Sequence, residues 1–143
     1  MLETIYSQVF AAVAVLVLAF AFLKGDEPER IAAGAYGLII LATLMVRDGG
    51  SLSVPRWGVM AMDIVLLIVL IGLAWHTRRA WLVWAASFQA IIVTGHLLIA
   101  ANLRPPSDAF ATVNNMSNYG LLIAMAVGTF WAWQERRAAG LER

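Results

Sequence analysis

The chain contains no cysteine among its 143 residues. That excludes disulfides, thiolate metal sites, iron–sulfur clusters and cysteine nucleophiles together, and leaves the redox compartment unmarked. Charge is also scarce, at 13% of residues against about 25% in a typical soluble domain. The formal net charge is only +1 and no basic stripe runs along the chain, so no nucleic-acid partner is expected. Familiar catalytic signatures are missing: there is no G-x-S-x-G, no H-E-x-x-H and no glycine-rich phosphate loop. No connecting segment is long enough to fold as a domain, and no internal repeat is evident. The sequence therefore predicts a single domain, 1–143, without enzymatic activity.

What is abundant is apolar surface: 62% hydrophobic residues and a mean hydropathy of +0.78. Too little polar side chain remains to cover a water-soluble globule, so hydrocarbon must be part of the solvent. A bilayer core takes roughly 20 mostly apolar residues per helix, and charges divide the chain into five such pieces. The predicted spans are about 5–23, 28–47, 57–75, 80–102 and 112–134. The fold class that follows is all-α: a polytopic, compact bundle of five transmembrane helices. Residues 1–23 mimic a secretory signal, but "MLETIYSQ" has no Lys or Arg. The first cation, Lys24, follows the apolar run, the reverse of a basic n-region, so a retained helix is expected.

Local punctuation supports the divisions. The second span is the shortest, with 16 residues between Arg30 and Arg47. Asp26 is placed to cap it, Pro28 suits a first helical turn, and Gly49–Gly50 ends it. "RPP" at 104–106 stops the fourth span, and Ser107 is positioned to N-cap the next helix. The fifth is expected to open as a surface turn near Asp108, because its apolar run starts only at Tyr119.

Five spans place the termini on opposite sides. One side holds Arg47, Arg56 and Arg104; the other holds Lys24, Arg30, Arg78, Arg79, Arg136, Arg137 and Arg143. The positive-inside rule then sets the N-terminus outside and the C-terminus in the cytoplasm of a bacterial-type inner membrane. Trp75, Trp81, Trp84, Trp131 and Trp133 form an expected inner aromatic belt, with Trp57 and Tyr6 at the outer boundary. The charged turn "GDEPER" is read as solvated, and the arginines of "QERRAAGLER" as meeting anionic lipid headgroups.

Two features carry functional expectations. The first is packing. Gly120, Ala124, Gly128 and Ala132 recur every four residues on the fifth span, and Ala33 and Gly37 do so on the second. Such small-residue ridges let helices approach closely in lipid. They serve either the bundle itself or docking of a second copy or another membrane subunit. The second feature is a polar layer. The "HTRR" turn forces spans three and four into antiparallel contact. Counted from that turn at about 1.5 Å per residue, Asp63 lies roughly 20 Å and His96 roughly 24 Å from the inner boundary. The same count brings Gln8 and Asn118 to that level, with Thr94, Asn114, Asn115 and Ser117 nearby.

Intramembrane ionisable groups mark either a pairing or a pathway. Asp63 and His96 are thus expected to glue helices, or to line a small outer cavity for a proton, a cation or a small polar ligand. Gln89, seven residues before His96, shares its face and extends the layer inward. His76 lies too far along the membrane normal to share a haem with His96, and is read as interfacial. His96 with Met62 or Met116 is the weaker haem alternative, although methionines more often fill core gaps; no cofactor is expected. The functional expectation is an accessory or assembly subunit of a larger membrane complex, or a self-associating bundle, with lipids and membrane subunits as partners. Small-ligand or proton/cation binding or transport is the alternative, and a redox subunit the weaker one.

Overall fold

The computed structural model describes residues 5–48, 56–101 and 107–140, apart from the side chains of 6–7, 44–48, 56–57, 107 and 110–111. Tyr6, Trp57, Arg47, Arg56, Arg104, Arg143, the Gly49–Gly50 stop, the RPP segment and the Ser107 cap therefore lie outside the described side chains.

Five helices and no strand occur among the described residues: α1 (Ile5–Lys24), α2 (Glu27–Asp48), α3 (Arg56–Thr77), α4 (Ala80–Ala100) and α5 (Ser107–Ala138). The first four match the spacing of charges along the chain. The fifth does not open as a separate surface turn. It is one continuous helix of 32 residues, because no proline interrupts it after Pro106 and its polar residues near 114–118 are compatible with helix. By length and composition two helices qualify to cross a membrane among the described residues. They are Gly58–Thr77, with mean hydropathy 2.4, and Ala80–Ala100, with 1.8; Gln8–Lys24 is a shorter apolar helix.

Two-residue turns, 25–26 and 78–79, force α1 onto α2 and α3 onto α4, and the other sequential pairs are neighbours as well. α1 packs on α2, α2 on α3, α3 on α4 and α4 on α5, while α5 closes the ring on α1 and also reaches α2 across its middle. The α1–α2 turn requires glycine: a Cβ on Gly25 would stand 2.4 Å from the Ala21 carbonyl oxygen and 2.6 Å from Glu29 Cβ. The α3–α4 turn places Arg78 in the left-handed region at φ 56°, and its N–H closes onto the Ala74 carbonyl at 2.9 Å. That is the αL way of ending a helix.

The interior mixes small and large side chains: α1 and α2 contribute Ala14, Ala21, Ala32, Ala33 and Tyr36, and α3, α4 and α5 contribute Leu66, Leu70, Leu82, Ala85, Leu121, Leu122, Ala124 and Met125. The ridge on α5 faces inward onto α4. A Cβ at Gly120 would meet the Phe88 ring at 2.6 Å and one at Gly128 would meet Trp81 at 2.3 Å, and Ala124 and Ala132 are buried. The shorter ridge behaves likewise: Ala33 is fully buried, and a Cβ on Gly37 would touch Leu18 of α1 at 3.5 Å. The outer faces are bulky and apolar, with Leu16, Leu38, Ile68, Val83 and Ile123 all exposed.

Candidate functional site

The bundle holds two polar clusters. The first joins α3 to α4. His96 Nε2 lies 2.8 Å from Asp63 Oδ2; with the carboxylate ionised, the ring nitrogen donates. Gln89 is buried at 1% exposure, and its Nε2 donates both to the Asp63 carbonyl oxygen at 3.0 Å and to Asp63 Oδ1 at 3.1 Å. Two acceptors on one residue fix the amide's orientation, which leaves Gln89 Oε1 buried without a hydrogen-bond partner among the described residues. Gln89 thus turns sideways onto α3 and does not extend a track inward.

Beside it, Tyr36 of α2 donates its hydroxyl to Asn118 Oδ1 of α5 at 3.0 Å, and Asn118 Nδ2 donates to the Asn114 carbonyl at 2.9 Å. Tyr36 is buried, so this tie between α2 and α5 is an interior one. Gln8 lies exposed on α1. Thr94 and Ser87 return their hydroxyls to the carbonyls of Ala90 and Val83 on their own helix. A cavity of about 20 Å³ opens between α4 and α5, lined by Ile91, Ile92, Gly95, Val113 and Asn114. It has room for about one water molecule, which is too small for an organic ligand.

The second cluster lies at the other end, where the sequence was expected to show a solvated turn and an interfacial tryptophan. Glu29 is fully buried. Its Oε1 accepts from Arg79 Nη1 at 3.0 Å and from Trp81 Nε1 at 3.1 Å, while its Oε2 accepts from the Asp26 N–H at 3.0 Å. The last bond is half of a capping box, D-x-x-E, closed from the glutamate side. The Asp26 carboxylate itself goes to Arg79 Nη2 at 3.0 Å and to Arg136. Arg136 also donates to the Lys24 carbonyl, and Arg30 donates to the Phe22 carbonyl at 3.1 Å, so two arginines satisfy the end of α1.

Within "GDEPER", Glu29 is therefore an interior group while Glu27 is exposed, Trp81 is a buried donor with 7% exposure, and Arg136 is an internal ligand. Trp75, Trp84 and Trp131 are exposed. A physical reason unites these corrections. A short turn between antiparallel helices brings the charges of two neighbouring turns and the end of α5 together, and opposite charges at one end of a bundle neutralise each other before they reach solvent. The D-x-x-E spacing was the available signal for Glu29. Nothing in the spacing of residues pointed to Tyr36 as the partner of Asn118.

Chemically, the inner cluster balances two carboxylates against two guanidinium groups, and arginine does not deprotonate in proteins. The other cluster sets the Asp63 carboxylate against the His96 imidazole. No group of three or more potential metal ligands occurs among the described residues. The His96 nitrogen nearest Asp63 is the one an iron would otherwise claim, while His76 is exposed at the end of α3. Comparison of the chain with protein-family models, with curated proteins and with solved structures finds no match.

Proposed function

We propose that the chain is a five-span integral membrane protein of a bacterial-type cytoplasmic membrane, N-terminus outside and C-terminus inside. It works without catalysis, as an accessory or assembly subunit of a larger membrane complex or as a self-associating bundle. One observation carries this reading. All five helices present large apolar side chains outward, among them Val15, Leu41, Val65, Ile91 and Val127, while the polar clusters bond across the interior. A water-soluble monomer rarely exposes contiguous apolar patches beyond a few hundred Å²; a bundle solvated by lipid does so on every side. The cations Lys24, Arg30, Arg78, Arg79, Arg136 and Arg137 sit at the end assigned to the cytoplasm, as the positive-inside rule requires. Because both small-residue ridges face inward, a partner helix packs on the bulky outer faces.

The test exploits the missing cysteines. Single cysteines introduced at Ile68, Ile91 or Ile123 are the only thiols in the chain, and disulfide crosslinking in native membranes should trap a neighbour at one face. Native mass spectrometry in mild detergent should show the same neighbour. A chain that stays in the aqueous phase without detergent, or a lone monomer with no crosslink at any face, refutes the reading.

A second reading is favoured by the 2.8 Å contact of Asp63 with His96 and by the unpartnered Gln89 oxygen beside it. In that reading the outer cluster binds and releases a proton. Asp63→Asn and His96→Ala then abolish proton uptake by the reconstituted protein, whereas a scaffold keeps its partner in both variants. A His96 titration followed by NMR that is indifferent to Asp63→Asn removes this reading.

A further inference from the structure

The seam between α1 and α5 at the inner end carries features that neither cluster absorbs. Lys24 Nζ stands 5.2 Å from the centroid of the Trp133 ring, and the Arg137 guanidinium carbon stands 5.4 Å from it. Two cations of like sign are thus held against one indole, which attracts each through its ring quadrupole. The buried side-chain atoms without a hydrogen-bond partner among the described residues include Trp133 Nε1 and Arg136 Nε. Both are donors, and both belong to this seam, three residues apart on α5. Buried donors in native structures almost always find an acceptor. The Asp26 oxygens are engaged by Arg79 and Arg136 Nη1, and no bond from them to either of these two donors is formed. Glu135 lies two positions from Trp133, and residues so spaced do not share a helix face. Toward the bilayer the seam is aromatic: Phe20 and Phe130 each meet Trp133 edge-on, at 6.2 and 6.3 Å between centroids.

From these placements we infer that the α1–α5 seam is a binding site for an anionic phospholipid of the inner leaflet. Its phosphate is held by Lys24 and Arg137 with the Trp133 N–H as a neutral donor, and its tails lie along Phe20 and Phe130. The aromatic wall below the cations selects a lipid over a free phosphate ion, which gains nothing from it. The site rests on the five-span reading, since only a membrane presents such a ligand at this height.

The experiment compares phosphatidylglycerol with phosphatidylcholine of matched chains, as lipid retained by the full-length protein in native mass spectrometry. Each basic residue near an anionic surface contributes about 1 kcal/mol, so two correspond to roughly 30-fold preference at 1.4 kcal/mol per decade. Wild type should show that preference and lose most of it in high salt. Lys24→Gln with Arg137→Gln should bring the ratio close to one, and Trp133→Phe, which keeps the ring but not the N–H, should lower it part-way. Arg78→Gln, at the exposed α3–α4 turn, should leave it unchanged. If the double variant does not fold, Trp133→Phe and the salt dependence decide. Equal retention of both lipids by wild type, an Arg78 effect as large as the double variant's, or displacement of the lipid by millimolar inorganic phosphate overturns the site. Failure of the membrane reading is seen separately: such a protein partitions into water in a detergent phase-separation assay, whereas failure of the site alone leaves it in the detergent phase.

Discussion

The two ends of the bundle solve the same problem with different chemistry. At the inner end, Asp26 and Glu29 meet Arg79 and Arg136, and Trp81 adds a neutral donor. At the outer end, a single carboxylate meets an imidazole, an amide and, one step away, a phenol–amide pair. The inner acid at the centre, Glu29, has no exposed side-chain surface, whereas His96 and Asp63 retain 19% and 14%. The inner cluster also crosses more of the chain, joining both short turns to the end of α5, while the outer ties run pairwise from α3 to α4 and from α2 to α5. One end is thus fixed by permanent charges on the arginine side. The other is held by one carboxylate with an imidazole and an amide, and by a phenol–amide bond. The lesson is that ionisable residues of equal rarity in an apolar chain need not share a role.

The comparison breaks first at Glu29. Glu29→Ala leaves Arg79 Nη1 and the buried Trp81 N–H without their acceptor, although Arg79 keeps Asp26 through Nη2, and each unsatisfied donor costs about 1–3 kcal/mol. Unfolding followed by circular dichroism in detergent should register that loss, and a cycle with Arg79→Leu should return a coupling above about 1 kcal/mol. A loss under 1 kcal/mol would mean that the inner network is ornament and that packing alone closes that end. The same cluster can be reached from behind. Gly128→Ala pushes a methyl into the Trp81 ring, where the ideal Cβ stands 2.3 Å away, and overpacking of this kind costs roughly 1–3 kcal/mol. Because Trp81 also holds Glu29, the two losses should add to less than their sum. Gly72→Ala, where nothing lies within 4 Å, is the control, and it should change stability by no more than about 0.5 kcal/mol.

How much of this was legible follows from where each signal is written. The helices and their order were readable because charge spacing and two-residue turns are local: α1 to α4 lie where the apolar runs lie. The juxtaposition of Asp63 and His96 was readable too, since an antiparallel hairpin with a tight turn converts residue counts into depth. What was not legible depends on rotation about the helix axes. Counting from a turn gives height but not azimuth, so Gln8, expected in the polar layer, is exposed on α1, and Trp81 was assigned to the lipid boundary although it points at Glu29. Net composition misled at "GDEPER", where three carboxylates suggest water. The structure neutralises two of them, because the neighbouring turn and the end of α5 bring arginines to the same place.

The outer cluster should yield less on truncation than the inner one, and the reason is geometric. Asp63→Ala removes the partner of His96 and one of two acceptors of Gln89, but the Asp63 main-chain carbonyl still receives Gln89 Nε2, and the partly exposed imidazole can turn to water. A loss of about 1–2 kcal/mol is expected, in the range of an ordinary hydrogen bond to a charged group, against the larger figure for Glu29. A loss equal to that of Glu29→Ala would erase the distinction between the ends.

The smallest expected effect is the sharpest on architecture. Tyr36→Phe deletes the hydroxyl that donates to Asn118 Oδ1, while the Asn118 amide nitrogen keeps its bond to the Asn114 carbonyl. Side-chain hydrogen bonds between helices in membranes average about 0.6 kcal/mol, and that is the loss to be sought in the same unfolding assay. The position matters more than the size, because α2 and α5 touch across the middle of the ring and are not neighbours in sequence. If Tyr36→Phe costs more than Asp63→Ala, the phenol–amide bond, and not the acid–imidazole pair, sets the spacing of the outer end. The acid–imidazole pair would then sit beside the structural tie without carrying it.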